Sequence, residues 1–257
     1  MRALCVGVLS ALCAAPVAAQ DAAPAATPPD PFERANRSLF RVHQQIDRSV
    51  VRPASLGYKA VTPEPVRKGV RNMLSNLGEP ITFINQVLQL RPVQAGETAT
   101  RFVANSTVGL LGVFDVATAA GVPAHEEDFG QTMATYGVQP GPYLFVPVVG
   151  PTNARDLTGR VVDIAINPVN AISFDGSAAL KAGAVTVNGL GARADADGEI
   201  RRLNASATDP YATYRSLYSQ NRQARIANGE ADVEALPEFE DYGPQPTQPA
   251  TPRRRRS

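Results

Sequence analysis

Apolar residues recur at helical spacing through most of the chain between Asp30 and Gly229, and alternating strand patterns are scarce. Phe32, Ala35, Leu39, Val42, Ile46 and Val50 form one stripe. It is introduced by Asp30-Pro31-Phe32-Glu33, which sets a capping acid, a proline suited to the first helical position and a glutamate at the third. Thr62-Pro63 opens a second amphipathic helix, with Val66, Val70, Met73, Leu74 and Leu77 on one face and Arg67, Lys68 and Arg71 away from it. Asp209-Pro210 opens a third, running through Tyr211, Tyr214, Leu217, Tyr218 and Ile226 to Asn228-Gly229. In water each stripe needs a partner.

Pro80 to Leu90 breaks the pattern. Ile81, Phe83, Ile84, Val87, Leu88 and Leu90 leave Thr82, Asn85, Gln86 and Gln89 as a narrow stripe with no charge. Such a helix suits burial nearly all round, and two readings stand: a central core helix, or a helix lying inside one membrane leaflet, since at ~16 Å it is too short to span a bilayer. Phe102 to Gly121 is also apolar, interrupted by Asn105, Gly109, Gly112 and Asp115. A spanning helix is not expected there, because a mid-membrane aspartate costs ~3 kcal/mol. Gly109 and Gly112 instead suggest close packing or a bend.

From Tyr136 to Pro151, Gly137, Gly141 and Gly150 alternate with Pro140, Pro142, Pro147 and Pro151. This predicts a shaped loop, with Pro147 permitting at most an edge strand; the loop either turns a corner or forms a rigid rim at Tyr136, Gly137, Gly141, Pro142 and Tyr143. Tyr211, Tyr214 and Tyr218 share a face, as an interfacial belt or as core packing with satisfied hydroxyls. Arg155 and Asp156 read as a structural ion pair or helix cap.

Catalytic patterns are missing. His43 and His125 are the only histidines, neither sits in a metalloprotease motif, and no nucleophile elbow is present. His125-Glu126-Glu127-Asp128 reads as a hydrated acidic turn, because consecutive residues do not project to one cation, and Gly189-Leu190-Gly191 lacks the rest of a dinucleotide loop. No catalytic residue, metal ligand or cofactor is expected.

The ends set compartment and charge. Met1-Arg2 precedes an apolar run from Ala3 to Ala15, and Val17 and Ala19 are the small residues that a signal peptidase accepts, so residues 1–19 read as a signal peptide cut between Ala19 and Gln20. Both cysteines, Cys5 and Cys13, fall inside it, which leaves no thiol for disulfides or catalysis. Residues 20–29 form an Ala/Pro-rich linker, 30–229 the helical domain, and 230–257 a Pro/Arg-rich tail, both flanks having the composition of disordered chain. The chain has 25 Lys+Arg against 24 Asp+Glu; without Arg2 and Arg253 to Arg256 the acidic residues lead, which argues against nucleic acid as a partner.

Five ordered blocks carry a resemblance: DPFERANRSLF from Asp30, GVRNMLSNLGEP from Gly69, TRFVANSTVGLLGVFDVA from Thr100, FGQTMATYGVQPGPYLFVPVVGPTNARDLTGRVVD from Phe129 to Asp163, and DPYATYRSLYSQNRQARIANG from Asp209. Together they resemble the MlaA (VacJ) family. The resemblance implies a mainly α fold whose amphipathic helices form a ring or wedge in one leaflet of the Gram-negative outer membrane, with a Gly/Pro-rich ridge loop. It implies removal of misplaced phospholipid from the outer leaflet through an amphipathic channel, with a trimeric porin as holder and a periplasmic lipid carrier and inner-membrane ABC transporter downstream. Family members are usually lipoproteins, but Cys13 follows Leu12 and has Ser10 three places back, which departs from a lipidation site and points to apolar surface as the attachment. On this reading Asn85, Gln86 and Gln89 line the lipid path. Asn72, Met73, Asn76, Gly78, Glu79 and Pro80 form a gate, hinged between two helices. The alternative is a soluble periplasmic lipid-binding, adaptor or porin-associated scaffold protein with an ordinary core.

Overall fold

A computed structural model describes residues 29–227; the expected signal peptide, the linker up to residue 28 and the tail lie outside the described residues. α1 (Glu33–Ile46) passes through a single π-turn (Asp47–Val51) into α2 (Arg52–Val61). α3 (Glu64–Leu88) and α4 (Pro92–Thr107) form a hairpin, followed by the short α5 (Val116–Ala119) and α6 (Phe129–Thr135). Two strands, β1 (Tyr143–Val146) and β2 (Gly150–Asn153), pair antiparallel with Tyr143 opposite Asn153 and Val146 opposite Gly150, leaving Pro147 in the turn. Then come α7 (Ala154–Ile166), α8 (Pro168–Ala171), α9 (Ser177–Asp195), α10 (Asp197–Ser206) and α11 (Pro210–Ile226). The chain is mainly α, and no described helix is long and apolar enough to cross a membrane.

The apolar core is small. Phe40 from α1, Tyr143 and Phe145 from β1 and Tyr211 from α11 pack together, with Tyr214 and Tyr218 against them. Phe40 meets Phe145 edge to face at 5.3 Å between ring centroids, an arrangement that aromatic quadrupoles favour. Asn36 docks the hairpin onto α1: its amide donates to the Tyr143 carbonyl at 3.0 Å and accepts from the Phe145 N–H at 3.0 Å, standing in for a neighbouring strand. The tyrosine face of α11 is therefore core, with the Tyr211 hydroxyl donating to Asp30 and that of Tyr218 to Asp156. Asp30, expected as the cap of α1, instead binds Asn36, Tyr211 and Arg215, because α1 begins later, at Glu33.

Elsewhere the polarity is inverted. Among the described residues, the buried set is dominated by polar and charged side chains, while most large apolar residues are exposed. The stripe on α1 faces outward, with Phe32, Leu39, Val42 and Val50 all exposed. On α3 and α4, Phe83, Val87, Leu88, Phe102 and Val103 point out while Thr82, Asn85, Gln86, Thr98 and Arg101 point in. The expected separate helix from Pro80 is part of one continuous α3, so no loop or break divides the helix at Asn72 to Pro80. Pro80 removes one internal hydrogen bond there without ending the helix, because both flanks pack against α4.

Polar staples replace much of the missing core. Arg193 on α9 binds Asp47 at 2.6 Å and Asp197 at 3.0 Å, and Arg52 reaches Asp197 at 2.8 Å, tying the α1–α2 rod to α9 and α10. Asp156 accepts from Arg155 at 3.0 Å and from Arg222 at 3.0 Å, the ion pair expected from sequence and more, while Asn153 caps α7. The hairpin turn rests on His43, whose Nδ1 accepts the Val148 N–H at 3.1 Å with Val148 at φ +71°.

A Cβ at Gly159 would stand 2.3 Å from the Gly130 backbone nitrogen, where α6 and α7 cross; Gly159→Ala is expected to cost about 1–3 kcal/mol. Gly78→Ala, with open space and helical φ, is expected to gain ~0.5–1 kcal/mol, both read as thermal midpoints in detergent. Burial lowers the His43 pKa, with Asp47 opposing and Arg193 adding to the shift. The folded state thus binds fewer protons than the unfolded one just below the unfolded value of ~6.5, so this contribution is present above that pH and is lost as pH falls through the lowered value. Protection of the Val148 amide against hydrogen exchange should fall on acidification, and His43→Gln should abolish that dependence.

Candidate functional site

Thr82, Asn85, Gln86 and Gln89 recur at spacings of three, one and three, which puts them on one face of α3; Thr98, Arg101 and Asn105 do the same on α4. The turn between the helices uses Leu90 at φ +58° and returns α4 antiparallel, so Asn76 donates to Ser106 at 2.9 Å and Arg101 reaches Glu79 at 3.3 Å. Continuing that register brings Thr82 level with Thr98 and Gln86 level with Gln94. The two polar stripes close on each other as a seam, with the apolar faces of both helices outside.

One end of the seam is a charged knot. Arg101 donates to Glu79, to the Asp115 carboxylate at 3.1 Å, to the Thr118 hydroxyl at 3.0 Å and to the Val122 carbonyl at 2.8 Å. Burial pushes Asp115 up, but donors from Thr118, Arg101 and Asn105 outweigh it and hold the carboxyl at about 2; burial raises Glu79 against the pull of Arg101. Gly112, at φ +90°, lets the following loop lie on α3, since a Cβ there would meet Asn76 at 2.5 Å. Gly109 sits equally tightly against the Phe114 carbonyl. The expectation of close packing at these two glycines is met.

The other end is a hydrogen-bond chain. Gln89 donates to Glu127 at 2.9 Å and to Thr132 at 3.1 Å, Thr132 donates to Asn85 at 2.8 Å, and Asn85 donates to Asp163 at 2.9 Å, which also accepts the Phe129 N–H. Burial raises both Glu127 and Asp163. The acidic turn expected at 125–128 is thus only partly hydrated: Glu126 stays exposed beside Arg225, but His125 pairs with Glu97 at 2.7 Å, Glu127 is buried at Gln89, and Asp128 binds Arg222 at 2.6 Å, because α3, α4 and α11 each supply a partner. The side chains leave for different partners, and no shared cation centre forms.

Between the two ends the seam is under-satisfied. Both amide atoms of Gln86, with no exposed surface, have no hydrogen-bond partner among the described residues, and neither do Gln94 Oε1, Thr98 Oγ1 and Glu79 Oε2. Each such buried atom costs about 1–3 kcal/mol.

Of the residues singled out from sequence, Asn85, Gln86 and Gln89 come together in this seam. Asn76 and Glu79 face it, Asn72 donates to the Val113 carbonyl at 3.2 Å, and Met73, Gly78 and Pro80 are half-buried. At the ridge, Tyr136 is exposed and its hydroxyl donates to the Leu88 carbonyl at 2.5 Å, while Gly137 and Gly141 take φ of +80° and +68°. Tyr143 does not belong to a rim: it is fully buried in the aromatic core, because β1 turns it toward α11. Arg101, Thr132 and Asp163 were not singled out, and Asp115 was read only as the charge that interrupts an apolar run. The three-four spacing of Thr98, Arg101 and Asn105 was the available signal for the first of them.

The MlaA lipoprotein family model matches residues 28–225. The chain is 35% identical over 198 residues to an uncharacterized protein of Rickettsia felis, covering 77% of this chain and 78% of the relative. It is 33% identical to the intermembrane phospholipid transport system lipoprotein MlaA of Haemophilus influenzae, covering 81% and 84%, and 33% identical to that of Escherichia coli, covering 78% and 79%. A chain solved in work on the structural basis for maintenance of bacterial outer membrane lipid asymmetry superposes with a TM-score of 0.69 at 30% identity, over 77% of this chain and 98% of that one. On sequence and fold together, this chain belongs to the MlaA lipoprotein family.

Proposed function

We propose that this protein lies in the periplasm-facing leaflet of a Gram-negative outer membrane and returns misplaced outer-leaflet phospholipid toward the periplasm, as part of intermembrane phospholipid transport. The observation that carries this reading is the inversion of the α3–α4 hairpin, apolar outside and polar inside. In water that arrangement would leave most of the hairpin's apolar surface wet. In acyl chains it is the low-energy one, since polar groups then have only each other and what passes between them. A soluble adaptor with an ordinary core would need the reverse orientation.

The seam suits a lipid headgroup. Neutral amides and hydroxyls at Gln86, Gln94 and Thr98 can exchange hydrogen bonds with a moving phosphate or amine without trapping it as a full charge would. Acyl tails would follow the apolar outer face beside it. The gate is assigned to Asn72, Met73, Asn76, Gly78, Glu79 and Pro80, now as a bend within one helix at the hydrogen bond that Pro80 removes. Tyr136, Gly137, Gly141 and Pro142 form the ridge. A trimeric porin, a soluble periplasmic carrier and an inner-membrane ABC transporter are the proposed partners, and attachment is through the chain's own apolar surface. The role requires no catalytic step.

Deletion in the host is expected to increase outer-leaflet phospholipid accessible to an external phospholipase, with restoration by the Cys13→Ala chain; unchanged exposure would refute the retrieval role. The protein should resist salt and leave membranes only with detergent, where release by salt would favour the adaptor. Gln86→Leu separates stability from transport: losing two unpartnered atoms should raise the thermal midpoint, while closing the polar path should increase exposed phospholipid. Gly78→Pro and Asn72→Ala should also increase it, and the gate assignment fails if asymmetry is intact in both.

A further inference from the structure

α1 has three faces. Asn36, Phe40 and His43 point into the protein; Phe32, Leu39 and Val42 form an exposed apolar flank; Arg34, Arg41 and, within the π-turn, Arg48 recur every seven residues along the opposite flank. Beside the arginine flank runs a groove of about 530 Å³ between α1 and the start of α11, lined by Arg34, Arg37, Arg41, Phe40, Asp209 and Tyr211. It continues into a second hollow of about 240 Å³ that shares Phe40, Arg41 and Pro210 and ends at Arg48.

The arginines are not equivalent. Arg37 is held by Asp209 and Glu33, both at 2.7 Å, and its guanidinium lies 4.5 Å over the Tyr211 ring, which makes it a fixed wall of the groove. Arg34, Arg41 and Arg48 are exposed and form no ion pair among the described residues; Arg41 donates only to Ser38, at 3.0 Å. Two carboxylates therefore offset four guanidinium groups along the row, leaving an excess of positive charge at a concave surface with an aromatic floor.

A purely water-facing helix has no use for Phe32, Leu39 and Val42 in the open, and a submerged one would not carry a row of unpaired arginines. A helix with both flanks sits where acyl chains give way to water, and what lies at that depth is the phosphate of the lipid headgroup. Arginine's planar fork matches two phosphate oxygens at once.

We propose that the α1 groove is a second phospholipid site, on the surface and separate from the α3–α4 seam, which takes the phosphate of an anionic glycerophospholipid headgroup between Arg34 and Arg41. The site rests on the leaflet location proposed above and is independent of the transport step. It holds α1 at headgroup depth and supplies a resident anionic lipid beside the protein.

The test is calorimetric titration of the full chain in an uncharged detergent with dihexanoylphosphatidylglycerol, dihexanoylphosphatidylcholine or inorganic phosphate. Saturable binding of the phosphatidylglycerol is expected, about fivefold weaker in Arg34→Gln or Arg41→Gln and about 25-fold weaker in the double variant, with the zwitterionic lipid weaker and added salt reducing affinity. Arg202→Gln, at an exposed arginine outside the groove, should bind as the unaltered chain does. Unaltered binding in the double variant, or no saturable binding at all, overturns the site. Inorganic phosphate binding as tightly as the lipid overturns the lipid half of it and reassigns the groove to free phosphate. Either failure leaves lipid retrieval standing, because the phospholipase assay reads that separately.

Discussion

The buried polar contact between α3 and α4 is the constraint on which the rest depends. Once the apolar faces of both helices point away from the protein, the inward faces cannot be sealed by burial of hydrocarbon, and hydrogen bonds and charge pairs must define the packing instead. Arg101 shows what that takes: a glutamate, an aspartate, a hydroxyl and a carbonyl converge on one guanidinium from three segments of chain. A buried charge with so many partners does not gain much stability over an apolar substitute, but it accepts only one register of α4 on α3.

The same logic recurs wherever the hydrocarbon core is thin. Arg193 with Asp47 and Asp197, and Arg222 with Asp128 and Asp156, join helices far apart in sequence, while the aromatic cluster covers only the junction of α1, β1 and α11. A protein built this way is rigid at its polar staples. At the seam's middle, by contrast, Gln86, Gln94 and Thr98 have buried polar atoms without a partner among the described residues.

Much of the helix inventory was legible. The Asp-Pro start at Asp209, the Asn/Gln stripe of Asn85, Gln86 and Gln89 and the tight glycines at Gly109 and Gly112 all followed from local chemistry. Less legible were points where distant chain overrode a local signal. Asp30 gave up its cap for Tyr211 and Arg215, Glu127 and Asp128 left solvent for Gln89 and Arg222, and Tyr143 turned from an expected rim into the core. The break expected near Pro80 did not occur, since packing along α4 holds both halves of α3 in line.

The sequence by itself determined the period of each helix, because backbone hydrogen bonds and side-chain spacing are local, and five ordered blocks carried the family resemblance. It did not determine which way each stripe faces. The stripe of Phe32, Leu39 and Val42 reads the same whether it meets a core or acyl chains. Only the tertiary structure turned it outward, because inward positions were claimed by polar pairs formed at long range, as with Asn85 and Asp163, 78 residues apart. A periodic pattern states that a helix has two faces; which solvent each face meets is decided by the rest of the molecule.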